Sequence, residues 1–332
     1  MIPFSILDLA PVNEGQDVAA ALRNARHLAQ AGERLGYHRF WMAEHHSMPG
    51  IASAATAVAL GHVAEGTQTI RIGAGGIMLP NHSPLQVAEQ FGTLEALFPG
   101  RIDLGLGRAP GTDQAAAYAM RRSLTADVGQ FPRDVLELQS YFRPATPGQR
   151  VVAVPGEGLD VPLWILGSST YGAELAAELG LPYAFASHFA PDALHEAIAL
   201  YRRDFTPSEQ LEAPHLIIAA NVIAADDTAD AVAQFESTRR TRVRGMLSRG
   251  PATPEYDDDQ IDMFLTTPEG RNIADMMRYS AVGTADEVRA YLEEFAEGTG
   301  ADELILAHQS PSIEDRLRSV ELTAGAMNLV TV

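Results

Sequence analysis

The chain of 332 residues contains no cysteine. Disulfides, thiolate nucleophiles, iron–sulfur clusters and cysteine-based zinc sites are therefore excluded. Cations are scarce: 24 Lys and Arg stand against 43 Asp and Glu, a net charge of −19. The carboxylates are spread along the chain and no basic stripe forms, which argues against a nucleic-acid partner. Long apolar runs are missing as well. The longest small-apolar stretch, Ile51 to Leu60, is mostly alanine and too short to span a bilayer, so no membrane association is expected. The stretch Met1 to Asp8 has no basic region ahead of its apolar residues. No secretory signal is expected from it, and the expected location is cytoplasmic.

What is present is a regular alternation. Ile2–Leu7, Tyr37–Ala43, Thr69–Ala74, Ile102–Leu106, Leu163–Leu166, Tyr183–Ala186, His215–Ile223 and Leu304–Ala307 read as short apolar strands. Between them lie stretches of helical spacing such as Asp17–Leu35, Ser53–Ala64, with Ser53 as N-cap, and Ser83–Leu97, with Ser83-Pro84 at its start. Strands alternating with helices imply a parallel sheet. Eight such units in one chain favour a closed (β/α)8 TIM barrel over an open sheet, with residues 1–332 as one domain. Two segments break the rhythm. Tyr141–Asp160, rich in Pro and Gly, predicts a small hairpin. Residues 243–280 form an insertion before the last unit, with Pro251, Pro254, Asp257-Asp258-Asp259 and a Thr266-Thr267-Pro268-Glu269 helix start. Barrel insertions of this length often close over the active face, so it is the candidate lid.

Chemistry-bearing residues gather where strands end. Glu44, His45 and His46 follow the second strand, at the end of the unit where barrels bind ligands, and imidazoles titrate nearest neutrality. A metal site built from Glu44, His45 and His46, with His62 or His82, is not expected. Neighbours in an extended segment point to opposite sides, and no H-E-x-x-H is present. After the third strand, Gly75-Gly76 lets backbone approach a flat ligand closely. Gly105 to Gly111 resembles a dinucleotide fingerprint, but the spacing is wrong and Pro110 would interrupt the helix start, so Rossmann binding is rejected. Arg108 there remains a candidate anion contact. Gly167-Ser168-Ser169-Thr170-Tyr171-Gly172 opens a helix after the fifth strand, and reads either as an anion site or as ordinary N-capping.

These segments together resemble the bacterial luciferase-like family of flavin-dependent monooxygenases. The resemblance rests on Ala43 to His46, Gly73 to Pro80, Gly100 to Arg108, Gly167 to Gly172 with Ala176 to Pro182, and Val282 to Thr284, in family order over nearly the whole chain. It implies a barrel with FMN at its C-terminal face. It makes His45 the catalytic histidine beside the flavin, and Gly75-Gly76 a cis non-proline peptide under the isoalloxazine ring. Arg108 is then the phosphate contact, Ser168 and Ser169 complete that pocket with Tyr171 in the same turn, and His188 faces the ring. Two positions depart from the pattern: Gly107 stands where luciferase has cysteine, and the cis pair is usually bulkier than Gly-Gly.

The resemblance further implies a monooxygenase acting on a small organic substrate. Reduced FMN from a separate NAD(P)H:flavin reductase would react with O2 to a C4a-peroxyflavin. His45 would stabilise it or move a proton, and Glu44 would orient His45 or its neighbour. A homodimer through the early helices is also implied. Ala52, Ala55, Thr56 and Ala59 offer a small-residue face that could pack on a partner or on the barrel. Two other readings stand beside this one: hydride transfer with a deazaflavin, and non-catalytic flavin binding.

Overall fold

Among the described residues, nine strands run parallel: β1 (Phe4–Asp8), β2 (Arg39–Met42), β3 (Arg71–Met78), β4 (Ile102–Gly107), β5 (Leu163–Gly167), β6 (Tyr183–Phe185), β7 (Leu216–Ala224), β8 (Ser280–Gly283) and β9 (Glu303–His308). The computed structural model describes residues 2–13, 15–109, 119–120, 128–247 and 256–329. Strands β1 to β7 pair in sequence order, β7 pairs β9, and β9 pairs back to β1. The ring is therefore a closed eight-stranded parallel barrel, as the alternation predicts. The ninth strand, β8, pairs only with Asn221–Ala224 of β7, and so extends the wall at the C-terminal side.

Around the ring stand α1 (Val18–Arg34), α2 (Thr56–Ala64), α3 (Pro84–Leu97), α4 (Phe131–Phe142), α5 (Thr170–Leu179), α6 (Leu194–Asp204), α7 (Thr228–Leu247), α8 (Asp258–Leu265), α9 (Pro268–Asp275), α10 (Ala285–Thr299) and α11 (Ile313–Ala326). Their ends follow local chemistry. The Asp17 carboxylate accepts from the Ala20 amide at the start of α1, and Thr284 with Glu287 forms a capping box on α10. Gly180 and Gly300 end α5 and α10 in the left-handed region. No helix among the described residues is long and apolar enough to cross a membrane.

Several local expectations are corrected. Strand β3 does not stop at Ala74; it continues through the Gly-Gly pair to Met78 with a register shift. Ser53 is not an N-cap, because its hydroxyl donates to the Ala43 carbonyl at 2.5 Å and α2 begins at Thr56. No strand forms in Tyr141–Asp160. Pro144, Pro147 and Pro155 cannot donate to a ladder, and the Glu157 carboxylate instead accepts the Ala145 amide at 2.7 Å. Of the two packings open to the small-residue face, Thr56 and Ala59 take the one on their own barrel, where both are buried. Helix α10 went unread. In the 243–280 insertion, residues 248–255, including Pro251 and Pro254, lie outside the described residues. The Thr267-Pro268 helix start is present, with Thr267 Oγ1 accepting from the Gly270 amide.

Two apolar layers result from the strand alternation. Phe40, Met42, Ile72, Leu104 and their like pack outward beneath the helices. Inside the barrel, Leu7, Trp41, Trp164, Ala184, Ile217 and Ile305 fill the lumen, with Trp41 and Trp164 edge-to-face at 5.3 Å. The floor, at the strands' N-terminal ends, carries charge. Arg39 Nη1 donates to Asp103 Oδ2 and Arg39 Nε to Glu303 Oε1, both at 2.8 Å. Arg71 reaches the other Asp103 oxygen at 2.6 Å, and Ser5 Oγ donates to Glu303. The guanidinium of Arg39 also lies 4.7 Å from the Trp164 ring centroid. Position at this end of a barrel marks stability rather than chemistry.

Candidate active site

The inward series of β2, Arg39, Trp41 and Ala43, continues one more step of two to His45. On β6 the same period leads from Ala184 to His188. β2 and β6 stand four places apart in the ring of eight, so the two imidazoles arrive at the mouth from opposite walls. His45 is half-buried, His188 is buried, and the Nδ1 of each is buried with no hydrogen-bond partner. Burial lowers the pKa of His45, with Glu44 opposing and His46 assisting. Burial takes His188 down to about 3, and the charges of Arg242 and His45 add to it. Both rings are neutral at pH 7. Asn221 Nδ2 holds the His188 carbonyl at 2.8 Å, and Ser187 Oγ donates to Ala219 O, which fixes this turn.

Glu44 does not touch His45. Its Oε1 lies 2.5 Å from His46 Nε2 and 2.7 Å from His82 Nε2, and its Oε2 accepts the Met78 amide at 3.1 Å. Of the two roles expected for Glu44, orienting the neighbour is the one with a contact. Burial would raise the pKa of this carboxyl, but the hydrogen bonds from His82, His46 and Met78 outweigh it and hold the group ionised. The three side chains could in principle surround a cation. Ligand atoms about a zinc-sized ion, however, stand about 3.3 Å apart. The separations here are those of direct hydrogen bonds. His62 sits exposed on α2, away from this group.

The peptide Gly75–Gly76 is cis. A side chain would be tight at Gly75 and would meet backbone at Gly76. A Cβ at Gly75 would lie 3.0 Å from Leu7 Cδ1 and 3.1 Å from the Trp41 ring, and one at Gly76 only 2.7 Å from the Gly105 carbonyl oxygen. This accounts for the Gly-Gly pair. Gly107 differs, since a Cβ there meets only Ile77 O at 3.8 Å, so the wall itself does not demand glycine.

On the neighbouring wall the Arg108 guanidinium stacks on Tyr171, 3.9 Å from the ring centroid. Ser169 occupies the N-cap position of α5 but makes no capping bond. Among the described residues, no hydrogen bond occupies the Ser168 or Ser169 hydroxyl, so ordinary capping does not explain them. Pro110 and Gly111, from the dinucleotide-like run, lie outside the described residues.

Glu44, His45, Gly75, Gly76, Arg108, Ser168, Ser169, Tyr171 and His188 thus all lie at the C-terminal ends of β2 to β6 or in the turns that follow. His82 was considered only as a metal ligand, yet it is the second clamp on Glu44. Its place just after β3 was the signal. Arg242 on α7 was missed, although it sits in an arginine cluster of an acidic chain.

The family description "Luciferase-like monooxygenase" matches residues 2–303. A protein of Escherichia coli (strain K12) named "Luciferase-like monooxygenase" is 48% identical over 322 residues, 97% of this chain and 96% of its own. The N-acetyl-S-alkylcysteine monooxygenase of Bacillus subtilis (strain 168) is 35% identical over 295 residues, 87% of each chain. The crystal structure of apo-MsnO8 superposes with a TM-score of 0.88 at 36% identity, covering 99% of both chains.

Proposed function

The chain belongs to the luciferase-like monooxygenase family, and from that premise we propose that it is an FMN-dependent monooxygenase of a small organic substrate. The observation that carries the flavin reading is the side-chain-free peptide Gly75–Gly76 at the end of β3, with His45 and His188 following strands on opposite sides of the ring. A flat tricyclic ring needs a surface without side chains; the Gly105 backbone excludes one at Gly76, and the fit at Gly75 is tight. A phosphate needs donors not already used. The α5 amides, the Ser168 and Ser169 hydroxyls and Arg108 supply them. The residues present therefore fit FMN.

Bound in reduced form, FMN supplies the two electrons with which one atom of O2 enters the substrate and the other leaves as water. The protein's part is binding, proton handling and exclusion of water. His45, neutral at pH 7, accepts a proton on one ring nitrogen and donates from the other. Glu44 steadies the loop that carries it by gripping His46, His82 and the Met78 amide. The tryptophan-filled lumen keeps water from below. The insertion 243–280 is proposed as the lid that keeps it from above. Its described part is pinned to α7 through Arg240–Asp262 and Arg244–Asp258.

Reduced FMN comes, in this proposal, from a separate NAD(P)H:flavin reductase. A homodimer is also proposed, supported by the exposed Val58 and Leu97 on the early helices α2 and α3. The test is anaerobic titration of the purified protein with reduced FMN, followed by oxygen and candidate substrates. Saturable binding of reduced FMN and substrate-dependent oxygen incorporation are expected. Retention of a deazaflavin with oxygen-independent hydride transfer would replace this reading, as would tight flavin binding with no turnover.

A further inference from the structure

Helix α7 carries four arginines between residues 239 and 244. Arg239 pairs with Glu236, Arg240 with Asp262 and Arg244 with Asp258. Arg242 alone of the four has no carboxylate and no hydrogen bond among the described residues, although it is half-buried. In a chain with 43 acidic residues, an arginine partly withdrawn from water without an acid is costly unless something else meets it.

Its direction is set by the helix. Thr238, one turn earlier on the same face, donates its hydroxyl to the Gln309 carbonyl at 2.7 Å, and Gln309 directly follows β9. This face of α7 therefore crosses the C-terminal ends of the strands. Val243, the next residue, is fully buried. Burial is the main cause of the low pKa of His188, and the nearby positive charge of Arg242 adds to it, in keeping with this placement. Arg242, one turn beyond Thr238, thus lies toward the rim at which His45 and His188 each carry a buried Nδ1 with no partner among the described residues. The flavin phosphate has its own donors at the other wall, around Arg108 and α5.

We propose that Arg242 is the substrate-anchoring residue of this site and that the substrate carries a carboxylate, held by the guanidinium so that its oxidisable atom faces His45. This rests on the monooxygenase reading for the reaction but not for the recognition. A guanidinium presents two parallel N–H donors matched to a carboxylate, and a neutral amide of equal size cannot replace that ion pair.

The test measures, on flavin-free protein, the quenching of tryptophan fluorescence by N-acetyl-S-benzylcysteine and by its primary amide. The wild type is expected to bind the acid at least about tenfold more tightly than the amide, the effect of one charge-assisted pair. Arg242→Met is expected to abolish that preference, and Arg242→Lys, which keeps the charge, to retain part of it. Equal affinities for acid and amide in the wild type, or binding of neither, overturn the proposal. So does an acid preference that survives in Arg242→Met. If Arg242→Met does not fold, Arg242→Gln takes its place. Titration of the same proteins with reduced FMN is the separate check on the flavin reading, whose failure leaves the acid-to-amide ratio readable.

Discussion

The guanidinium of Arg108, at the end of β4, stacks on the ring of Tyr171, in the first turn of α5, with 3.9 Å between the charge and the ring centroid. The aromatic face holds the cation in place while leaving its N–H edge free. A side chain already ordered by stacking loses less freedom when it takes an anion.

On the FMN reading proposed above, replacing Arg108 by Met should therefore weaken FMN binding by roughly 10- to 100-fold, the range for losing a charged hydrogen bond. Riboflavin, which has no phosphate, should bind both proteins alike. Flavin-fluorescence titrations with the two ligands check this. An equal loss for riboflavin would remove Arg108 from the phosphate pocket.

At Gly76 an added methyl group meets the Gly105 carbonyl oxygen at 2.7 Å, and that oxygen belongs to the barrel wall. Gly76→Ala should lower stability by about 1–3 kcal/mol, the usual cost of overpacking. Gly107→Ala, with nothing nearer than 3.8 Å, should be close to neutral. Urea midpoints of the two variants settle it, and equal behaviour would contradict the packing described.

Glu44 is a shared acceptor for two imidazoles and one backbone amide. Glu44→Ala should cost about 1–3 kcal/mol of stability, because it empties a buried position and removes the shared acceptor of three half-buried donors, whereas exposed control sites such as Glu174 should change by less than about 0.5 kcal/mol. Chemical denaturation reads this directly. An unchanged midpoint would show that the Glu44–His46–His82 cluster bears no load.

Acid should destabilise the protein earlier than its carboxylates alone would cause. His188 and His308 titrate at about 3 in the fold, both chiefly through burial, against 6.5 for a free imidazole. Between those values the unfolded chain binds protons that the native state does not. Their contribution is fully present above pH 6.5 and is lost progressively as pH falls toward 3. Denaturation midpoints at pH 7.5, 6.0 and 5.0 should decline, and His308→Asn should flatten the slope. A flat wild-type profile from pH 6.5 to 5 would refute the assignment.

The barrel was legible because its strands are apolar on both faces and its helices recur at matching intervals. Eight strands and most of the site residues could be placed from that rhythm, since the ends of parallel strands form one rim. Three kinds of feature could not be read. The Glu44–His82 contact joins residues 38 apart, and no local pattern links them. Strand β8 is four residues long and is held by β7 alone, so its sequence, Ser280–Gly283, carries little periodic signal. That Arg242 has no acid among the described residues is a fact about what its neighbours do not supply. Ser53 misled for a simpler reason: a hydroxyl near a helix start is a good cap only if no other acceptor reaches it first, and here the Ala43 carbonyl does.

The charged floor also has a bearing on traffic. Arg39, Asp103, Glu303 and Arg71 lock β2, β3, β4 and β9 together beneath the two tryptophans, and nothing passes through such a plug. Among the described residues, the N-terminal end of the barrel is the closed one. In the flavin reading proposed above, cofactor, oxygen and substrate would therefore meet at the C-terminal rim, and a ligand seated against the tryptophans would have to leave past whatever bound after it.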